Sequence, residues 1–464
     1  MLIYNNRYIP IRNIICFIVE SAGFFFSVLL SFTVIYWKAD SSGLQPEDIV
    51  FRGILVAISA QFIMYILDLY DLNINLSPLG IFFSAVFTIG FIFITIGLFS
   101  LMVPDFGLGG NIYYLTGIII LVFLCIWRLL FERYIASGFF AHNVLIFGAG
   151  TVARELGSLI NDSKRLGFKL IGYIDKEVFN PISNSHETQR IEGFEDLRDF
   201  VKKYQITKII IASEERRKSL PVKDLLELKI GGVRVIEWPE FHEKLSGKIP
   251  VKNLTPSFFL FHEGFDTKVT SRLLCRISSF ILSFIALMVC LPLLLITAIL
   301  IKLDTEGPVI YRQKRVGVIG KTFNLIKFRT MFSNAEELSG AVWAKDKDPR
   351  ITRIGRYLRK FRIDEITQFI NVLMGDMNLV GPRPERPEFV TTLEKELPFY
   401  SIRHSIRPGV TGWAQVKFSY SGTIEESREK LEYDLFYLKN RSLKLDLYII
   451  LKTLKIVLLG RGAK

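Results

Sequence analysis

Four long runs of hydrophobic residues occupy the first third of the chain and predict membrane-spanning helices. Each run is close to the ~20 residues that a helix needs to cross a bilayer. Basic residues precede the first run and end the fourth, whereas the loop 38–48 is acidic on balance, so both ends of this region are expected to face the cytoplasm. The predicted spans are 14–37, 49–67, 79–103 and 112–131.

Glu20 is a charged residue inside the first hydrophobic run. A functional group, a position near the interface and a polar contact between helices are all open interpretations. The sequence assigns it no role.

After residue 142 the pattern changes to short apolar runs that alternate with amphipathic stretches. Strands are predicted at 143–147, 169–174, 208–212 and 233–237, and helices at 152–166, 194–204 and 222–228. This order is typical of βαβ units on a parallel sheet. It predicts a Rossmann-like α/β domain at 141–262, after a transmembrane region at 1–140 and before a C-terminal domain at 263–464.

A glycine-rich turn follows the first of these strands. Gly148 and Gly150 stand with Ala153 in the GxGxxA variant of a dinucleotide-binding fingerprint, and Asp175 ends the second strand. Backbone N–H groups at such a helix N-terminus can bind a pyrophosphate. A tight strand-to-helix turn requires glycine even without a ligand, so nucleotide binding, a regulatory role and a purely structural role stay open.

One more hydrophobic run, 277–301, does not suit simple membrane crossing. Basic residues flank it on both sides, and Pro292 near its centre would remove a helical hydrogen bond and kink the helix. A re-entrant membrane helix over 273–302, which enters and leaves on the cytoplasmic side, explains both features. A kinked spanning helix is the alternative. The stretch 443–459 fits either a helix in the membrane interface or a soluble packing helix.

Composition favours a membrane protein with a basic C-terminal part. Half of the 464 residues are hydrophobic and the mean hydropathy is +0.33, which is too apolar for an ordinary soluble protein. From residue 302 onward there are 30 Lys and Arg against 19 Asp and Glu, which accounts for most of the net charge of +13. Such a domain favours anionic headgroups and phosphorylated substrates over nucleic acid. The four cysteines lie in apolar runs without metal-ligand spacing.

The basic C-terminal part also carries groups suited to phosphate and metal chemistry. Lys327 and Arg329 lie in one basic stretch and Arg359 in a second, and guanidinium groups match phosphate oxygens well. Asp364 and Glu365 follow and are predicted in the first turn of a helix, where the dipole favours ionised carboxylates. The pair suits a nucleophile and a Mg²⁺ ligand. A headgroup-facing basic helix and a plain N-terminal cap are the alternatives.

Six short motifs follow one another in this part of the chain. They are Glu306-Gly307-Pro308-Val309, Arg315-Val316-Gly317, Lys327-Phe328-Arg329-Thr330-Met331, Asp364-Glu365, Gly381-Pro382-Arg383-Pro384-Glu385 and Arg407-Pro408-Gly409-Val410-Thr411-Gly412-Trp413-Ala414-Gln415-Val416. In these motifs the chain resembles the bacterial sugar transferases, also called polyisoprenyl-phosphate hexose-1-phosphate transferases or monotopic phosphoglycosyl transferases. The resemblance covers 268–464 in detail. The larger members of that family carry four transmembrane helices and a Rossmann-like domain before this part.

The resemblance implies an activity and a role for each matching residue. Asp364 would attack the β-phosphate of a UDP-sugar and release UMP, and polyprenyl (undecaprenyl) phosphate would then take the phosphosugar from the aspartate. Asp364 and Glu365 would hold Mg²⁺, and Pro292 would break the re-entrant helix. The implied setting is the first membrane step of exopolysaccharide or surface polysaccharide synthesis, in the bacterial inner membrane with the catalytic domain on the cytoplasmic side. A homodimer is an open possibility.

Anionic substrates would be repelled by a carboxylate unless cations offset the charge. Basic residues of this part of the chain are therefore candidates to bind the phosphates, and such a residue is called a phosphate clamp. Arg383 is the best single candidate because Pro382 and Pro384 restrict its backbone. Trp413 suits either stacking on a base or a packed position. The further phosphate-binding candidates are Lys327, Arg329, Arg359 and Arg407.

Two other classes of protein compete with a sugar transferase. A nucleotide-sensing membrane scaffold would need only the helices, the glycine turn and the basic surface. A Rossmann-type sugar dehydratase or epimerase would centre on Gly148 to Asp175 and would need a catalytic Tyr-x-x-x-Lys pair after the fingerprint. Galactose, glucose and their N-acetylated relatives share the same pyrophosphate chemistry, so the sequence does not identify the sugar.

Overall fold

The computed structural model describes residues 2–458, with gaps at 5–6, 10, 37–45, 68, 71–76, 104–109, 137–141, 149, 163–166, 176–177, 182–188, 191–193, 213–219, 255, 262–263, 266–268, 333–334, 336–347 and 419–422. The chain divides into two compact units, which are mainly Tyr8–Phe241 and His242–Lys464. The division into three domains stays a prediction.

Four long helices fill the described part of the first 140 residues. They are α1 (Ile11–Tyr36), α2 (Pro46–Ile66), α3 (Pro78–Met102) and α4 (Gly110–Ala136), and the short strands β1 (Leu2–Tyr4) and β2 (Arg7–Ile9) precede them. Each helix is long and apolar enough to cross a membrane. Ser77 caps α3 by accepting a hydrogen bond from the Gly80 N–H at 3.1 Å, and Pro78 suits the first helical position because its missing N–H would have no partner there.

A buried ion pair connects two of these helices. Glu20 on α1 is fully buried, and its Oε1 lies 2.6 Å from Nε of Arg128 on α4. Arg128 also donates to the Leu69 carbonyl, and the Tyr70 hydroxyl donates to Glu20 Oε2, both at 2.6 Å. Ionisable groups inside membrane segments are costly unless they are paired in this way. Glu20 thus makes a polar contact between helices, which was one of its open interpretations.

A six-stranded sheet follows the helix bundle along the chain. Its strands are β3 (His142–Phe147), β4 (Phe168–Asp175), β5 (Val178–Pro181), β6 (Gln189–Arg190), β7 (Ile206–Ile211) and β8 (Arg234–Glu237), and the helices are α5 (Thr151–Asp162), α6 (Phe194–Lys203), α7 (Val222–Ile230) and α8 (Trp238–Ser246). The order across the sheet is β6-β5-β4-β3-β7-β8, and β4, β3, β7 and β8 run parallel. The predicted parallel sheet is confirmed.

Some details of the sheet differ from the prediction. β7 begins at Ile206 rather than residue 208, because Ile206 is buried in the same core as Leu197 and Phe200. The short antiparallel strands β5 and β6 were not predicted, since two to four residues are too few to show an alternating pattern. Of the predicted helix 152–166, the last four residues lie outside the described ones.

The second unit is mostly helical, as predicted, but it contains two small sheets. Its elements are α9 (Pro256–Phe261), α10 (Val269–Asp304), β9 (Ile310–Val316), β10 (Thr322–Phe328), α11 (Arg353–Lys360), α12 (Gln368–Met374), β11 (Asn378–Val380), α13 (Pro387–Glu396), β12 (Gly409–Thr411), α14 (Trp413–Lys417), α15 (Ile424–Asn440) and α16 (Leu443–Leu458). β9 and β10 form an antiparallel hairpin, and β11 pairs with β12 in parallel. The hairpin was not predicted because basic residues interrupt its hydrophobic alternation.

Helix α10 is a single helix of 36 residues with Pro292 inside it. Most of its large apolar side chains are exposed, and it is the fifth described helix that is long and apolar enough to cross a membrane. Cys275, Ser279, Ser283 and Leu287 are buried and recur every four residues, so they form one face of the helix. The helix therefore has one narrow packed face and a broad apolar surface.

The core of the second unit contains Trp413. Its indole is buried, donates Nε1–H to the Gly247 carbonyl at 2.7 Å and stacks on Phe436 with ring centroids 5.7 Å apart. A buried tryptophan needs such a partner for its N–H. Trp413 therefore occupies a packed position.

Replacing Glu20 alone should destabilise the helix bundle. A Glu20→Leu variant leaves Arg128 buried without its carboxylate, which should cost on the order of 3 kcal/mol of unfolding free energy. Glu20→Leu combined with Arg128→Leu should recover most of that loss. The measurement is the midpoint of thermal unfolding of detergent-purified protein, with Glu47→Gln on the exposed start of α2 as control. Equal midpoints for Glu20→Leu and the control would contradict this prediction.

Candidate active site

The candidate site is built on the hairpin β9–β10 and on helix α12. The Asn371 side chain donates to the Asn324 carbonyl at 2.8 Å and accepts from the Ile326 N–H at 2.9 Å, so it satisfies backbone groups of β10. Thr367 Oγ1 donates to the Ile326 carbonyl at 3.1 Å. These bonds hold the turn before α12 against the strand that carries Lys327.

Asp364 and Glu365 lie in a 3-10 turn, Ile363–Glu365, just before α12. The prediction of the first helical turn was therefore wrong by a few residues. Arg362, which directly precedes this turn, has a left-handed φ of 53°. Residues with side chains seldom adopt this conformation, and it recurs at functional sites.

The two adjacent carboxylates have different electrostatic surroundings. Glu365 Oε1 accepts a hydrogen bond from Arg383 Nη2 at 2.8 Å, and its Oε2 lies 3.4 Å from Arg362 Nη1. Although burial disfavours its charged form, Arg383 and Arg362 hold the pKa of Glu365 below its ordinary value. Burial, and then the charge of Glu365, raise the pKa of Asp364 to about 6. Carboxyl pairs whose pKa values are pushed apart are common in active sites.

Three of the predicted phosphate-binding residues act on Asp364. The positive charges of Lys327, Arg359 and Arg383 each favour the ionised form of its carboxylate. Burial, together with the charge of Arg315, lowers the pKa of Lys327 to about 8. Arg359 Nε donates to Thr330 Oγ1 at 2.9 Å. The structure thus brings Lys327, Arg359 and Arg383 together around the carboxylate pair.

The guanidinium groups of Arg329 and Arg407 bind backbone carbonyls. Arg329 is buried and donates to the carbonyls of Thr305 and Glu306, which follow the end of α10. A cation at this place also stabilises the negative end of the helix dipole. Arg407 is exposed, and its Nε donates to the Gly375 carbonyl at 2.9 Å. A phosphate-binding role for these two residues stays a prediction.

The segment that carries Arg383 is fixed at four successive carbonyls. Each accepts one hydrogen bond between 2.9 and 3.1 Å: Pro382 from Gly409 N, Arg383 from Arg403 Nη2, Pro384 from Arg315 Nη1 and Glu385 from Val316 N. A Cβ on Gly409 would lie 2.0 Å from the Gly381 nitrogen, so this close approach requires glycine. The backbone of Arg383 is therefore held from both sides.

Comparison with known proteins identifies the family of this chain. Residues 270–460 match the family described as "Bacterial sugar transferase". An uncharacterized sugar transferase of Haemophilus influenzae is 32% identical over 359 residues, which cover 72% of this chain and 73% of that protein. The chain belongs to the bacterial sugar transferase family.

Two further relatives of this chain have named activities. The UDP-N-acetylgalactosamine-undecaprenyl-phosphate N-acetylgalactosaminephosphotransferase of Aeromonas hydrophila is 50% identical over 173 residues, or 37% of this chain and 41% of that protein. The undecaprenyl-phosphate glucose phosphotransferase of Komagataeibacter xylinus is 32% identical over 330 residues, or 70% of this chain and 60% of that protein. The chain thus matches less than two thirds of the length of these two relatives.

Sequence reasoning gave no role to five charged residues of this chain that lie in the Arg383 segment or are linked to it by hydrogen bonds and ion pairs. They are Arg315, Glu385, Arg403, Lys430 and Asp434. Lys430 pairs with Glu385, and although burial works against the charge, Lys430 and Arg403 lower the pKa of Glu385 to about 2. Asp434 had a detectable signal, because its spacing places it on the apolar face of α15 with Leu431 and Leu438. A charge on a buried helix face usually has a specific partner.

The glycine turn lies at the edge of the sheet that is formed by the carboxyl ends of the parallel strands. Gly148 follows β3 with a φ of 113°, its N–H donates to the Ile174 carbonyl at 2.8 Å, and Gly150 is exposed before α5. Asp175 ends the neighbouring strand β4. Nucleotides bind at this edge in doubly wound sheets. Binding by Gly148, Gly150 and Asp175 stays a prediction.

Lys327 should lose its proton at a lower pH than ordinary lysines. Its lowered pKa means that half of its amine is neutral, and thus reactive, near pH 8 instead of above 10. Trace labelling with acetic anhydride across pH 6–11, read by peptide mass spectrometry, measures this midpoint. The control is the same peptide in denatured protein, where the midpoint should return to about 10.4. A folded-state midpoint at that ordinary value would contradict the burial of this amine.

Proposed function

We propose that this chain transfers a hexose 1-phosphate from a UDP-sugar to undecaprenyl phosphate and releases UMP. The observation that carries the proposal is the position of Asp364, a buried carboxyl beside Glu365 and within reach of the charges of Lys327, Arg359 and Arg383. Two relatives whose names state undecaprenyl-phosphate sugar phosphotransferases support the substrate class. Such a reaction would be the first membrane step of exopolysaccharide or surface polysaccharide synthesis.

The reaction proceeds in two displacements at one phosphorus atom. In the first, an Asp364 oxygen bonds to the β-phosphorus of the donor, and the bond from that phosphorus to the bridging oxygen breaks. UMP leaves with the bridging oxygen, and an aspartyl phosphosugar remains. In the second, a phosphate oxygen of undecaprenyl phosphate bonds to the same phosphorus and Asp364 leaves as a carboxylate.

Glu365, Arg383 and Lys327 have distinct tasks in these steps. Because Arg383 and Arg362 keep Glu365 ionised, a permanent negative charge lies next to the proposed nucleophile, Asp364. Arg383 and Lys327 offset that charge and stabilise the charge that develops on the transferring phosphoryl group. Arg359 adds a third cation whose guanidinium is oriented by Thr330.

The donor atoms of the carboxylate pair fit Mg²⁺. Asp364 and Glu365 supply hard oxygen ligands, and among the described residues no group of three or more His, Cys, Asp or Glu side chains forms a larger metal site. Mg²⁺ commonly binds to one or two carboxylates and completes its shell with water and substrate phosphates. When bound, the ion would neutralise pyrophosphate charge.

Contacts at both ends of α10 support a re-entrant helix that bends at Pro292. Arg276 near its start donates to the Val372 and Met377 carbonyls, both at 2.8 Å, and Asp304 at its end accepts from the Ile354 N–H at 3.1 Å. In a straight helix residues 276 and 304 would be about 42 Å apart. The partner of Asp304 lies on α11, and the partners of Arg276 lie on α12 and just after it. Because only a short turn separates α11 from α12, a bent α10 reaches both sets of partners more easily than a straight one. The active site would then face the cytoplasm of a bacterial inner membrane.

Removal of the Asp364 carboxylate should abolish turnover. Detergent-purified protein is incubated with UDP-N-acetylgalactosamine or UDP-glucose, undecaprenyl phosphate and Mg²⁺, and UMP release is followed. We expect Asp364→Asn to lower the rate by about 10⁴-fold, as loss of a nucleophile does. Asp446→Asn is the matched control, because burial likewise raises the pKa of Asp446 to about 6, whereas Asp446 lies on α16 and accepts a hydrogen bond from Tyr437 on α15.

The outcomes of this assay separate the competing functions. Faster UMP release with one donor identifies the sugar, and loss of release on chelation of Mg²⁺ supports the metal. Equal rates for Asp364→Asn and Asp446→Asn would remove Asp364 from the mechanism. If neither donor released UMP, a nucleotide-sensing scaffold would become the better explanation.

The re-entrant helix predicts that both ends of α10 are exposed on the same side of the membrane. In a variant without Cys16, Cys125, Cys275 and Cys290, single cysteines at positions 272 and 302 should react with an impermeant maleimide only in inverted vesicles. A cysteine at position 41, in the loop expected outside, should react only in intact cells. Labelling of positions 272 and 302 from opposite sides would instead support a spanning helix.

A further inference from the structure

A buried guanidinium contacts the backbone of the proposed phosphate clamp. Arg403 Nη2 donates to the Arg383 carbonyl at 3.0 Å. The same group donates to Asp434 Oδ2 from Nε at 3.1 Å and from Nη2 at 2.8 Å, and its Nη1 donates to the Tyr400 hydroxyl at 2.7 Å. Arg403 therefore joins three separate parts of the fold: the Arg383 segment, the 3-10 turn Tyr400–Ser405 and helix α15.

The burial of this ion pair argues for a role beyond stability. The side chains of Arg403 and Asp434 are each only 2% exposed. Two charges lose their hydration at such a place, and the pair often stabilises a protein no more than packed apolar residues would. What an apolar pair does not supply is the hydrogen bond to the Arg383 carbonyl.

We infer that Arg403 and Asp434 are positioning residues that set where the Arg383 side chain lies, and this inference rests on the proposed function. Asp434 orients the guanidinium, and Arg403 holds the Arg383 backbone through its carbonyl. Arg383 in turn donates to Glu365 Oε1 at 2.8 Å, next to Asp364. A continuous series of contacts thus runs from α15 to the proposed nucleophile.

The hydrogen bond from Arg403 acts directly on the peptide unit of the proposed phosphate clamp, Arg383. The three neighbouring carbonyls are bound by Gly409 N, Val316 N and Arg315 Nη1, so the carbonyl of Arg383 itself depends on Arg403. The flanking Pro382 and Pro384 have no N–H to add further bonds. Loss of the Arg403 contact would free the peptide unit nearest to the clamp side chain. Displacements of about 1 Å at a reacting group can cost 10²-fold in rate.

The test compares two changes, each made in the wild-type chain and in an Arg383→Ala background. Arg403→Met with Asp434→Leu removes both charges together, so no charge is left unpaired. Arg403→Lys keeps the charge but loses the planar fork that reaches three partners. We expect both to lower kcat by about 10²-fold with a smaller effect on KM. In an Arg383→Ala background the same changes should cause little further loss, because they act through Arg383.

A second buried ion pair serves as the matched control. Lys439 and Glu243 lie 2.6 Å apart with 8% and 0% exposure, and they join α15 to α8. Lys439→Met with Glu243→Leu should leave kcat near the wild-type value. Losses that simply multiply when Arg403→Lys is combined with Arg383→Ala would overturn the inference, as would full activity of Arg403→Lys.

Hydrogen exchange tests the same inference without turnover. The amides of Gly409 and Val316 donate to the Pro382 and Glu385 carbonyls, on either side of Arg383. In the Arg403→Met, Asp434→Leu variant they should exchange at least about tenfold faster, while the amides of α12 keep their wild-type rates. Unchanged exchange at both amides would overturn the positioning role even if no donor releases UMP. Faster exchange without UMP release would keep the positioning role and reject the proposed function alone.

Discussion

The ion pair between Arg383 and Glu365 determines the electrostatics of the candidate site. It keeps one of two adjacent carboxylates ionised in a place where burial works against any negative charge. Burial raises the pKa of the second carboxylate, Asp364, and the fixed negative charge of Glu365 beside it raises that pKa further. Two chemically similar side chains thereby differ in their tendency to carry a negative charge, and the cations around them offset the repulsion that this arrangement creates.

The surrounding fold is organised to keep these few side chains in place. The hairpin β9–β10 has only two strands, and β11 and β12 have only three residues each, so their ladders leave backbone groups without a strand partner. Side chains therefore complete them: Asn371 satisfies the edge of β10, and Arg315 and Arg403 bind carbonyls of the segment that carries Arg383. The charged residues thus serve partly as ligands for the protein's own backbone, and Arg329 does the same at the end of α10.

Periodicity predicted the long elements well, because length gives the hydrophobic pattern enough repeats. The four N-terminal helices and the strands of the parallel sheet were placed to within a few residues, except for the short β5 and β6. The site was harder to predict. Asp364, Glu365 and Arg383 were found by motif, but the left-handed Arg362 and the contacts of Arg403 depend on tertiary structure that has no local signature. The charge on the buried face of α15, Asp434, was visible in the sequence and was the missed signal.

The end of α10 is physically connected to the side chains around Asp364. Asp304 accepts from the Ile354 N–H near the start of α11, which carries Arg359, and Arg329, which directly follows β10, binds the carbonyls of Thr305 and Glu306. Any change in the depth of that helix in the bilayer would therefore move the proposed phosphate-binding groups with it. Acyl-chain length would then influence how high above the lipid surface the proposed reaction occurs, so that reaction would depend on membrane thickness.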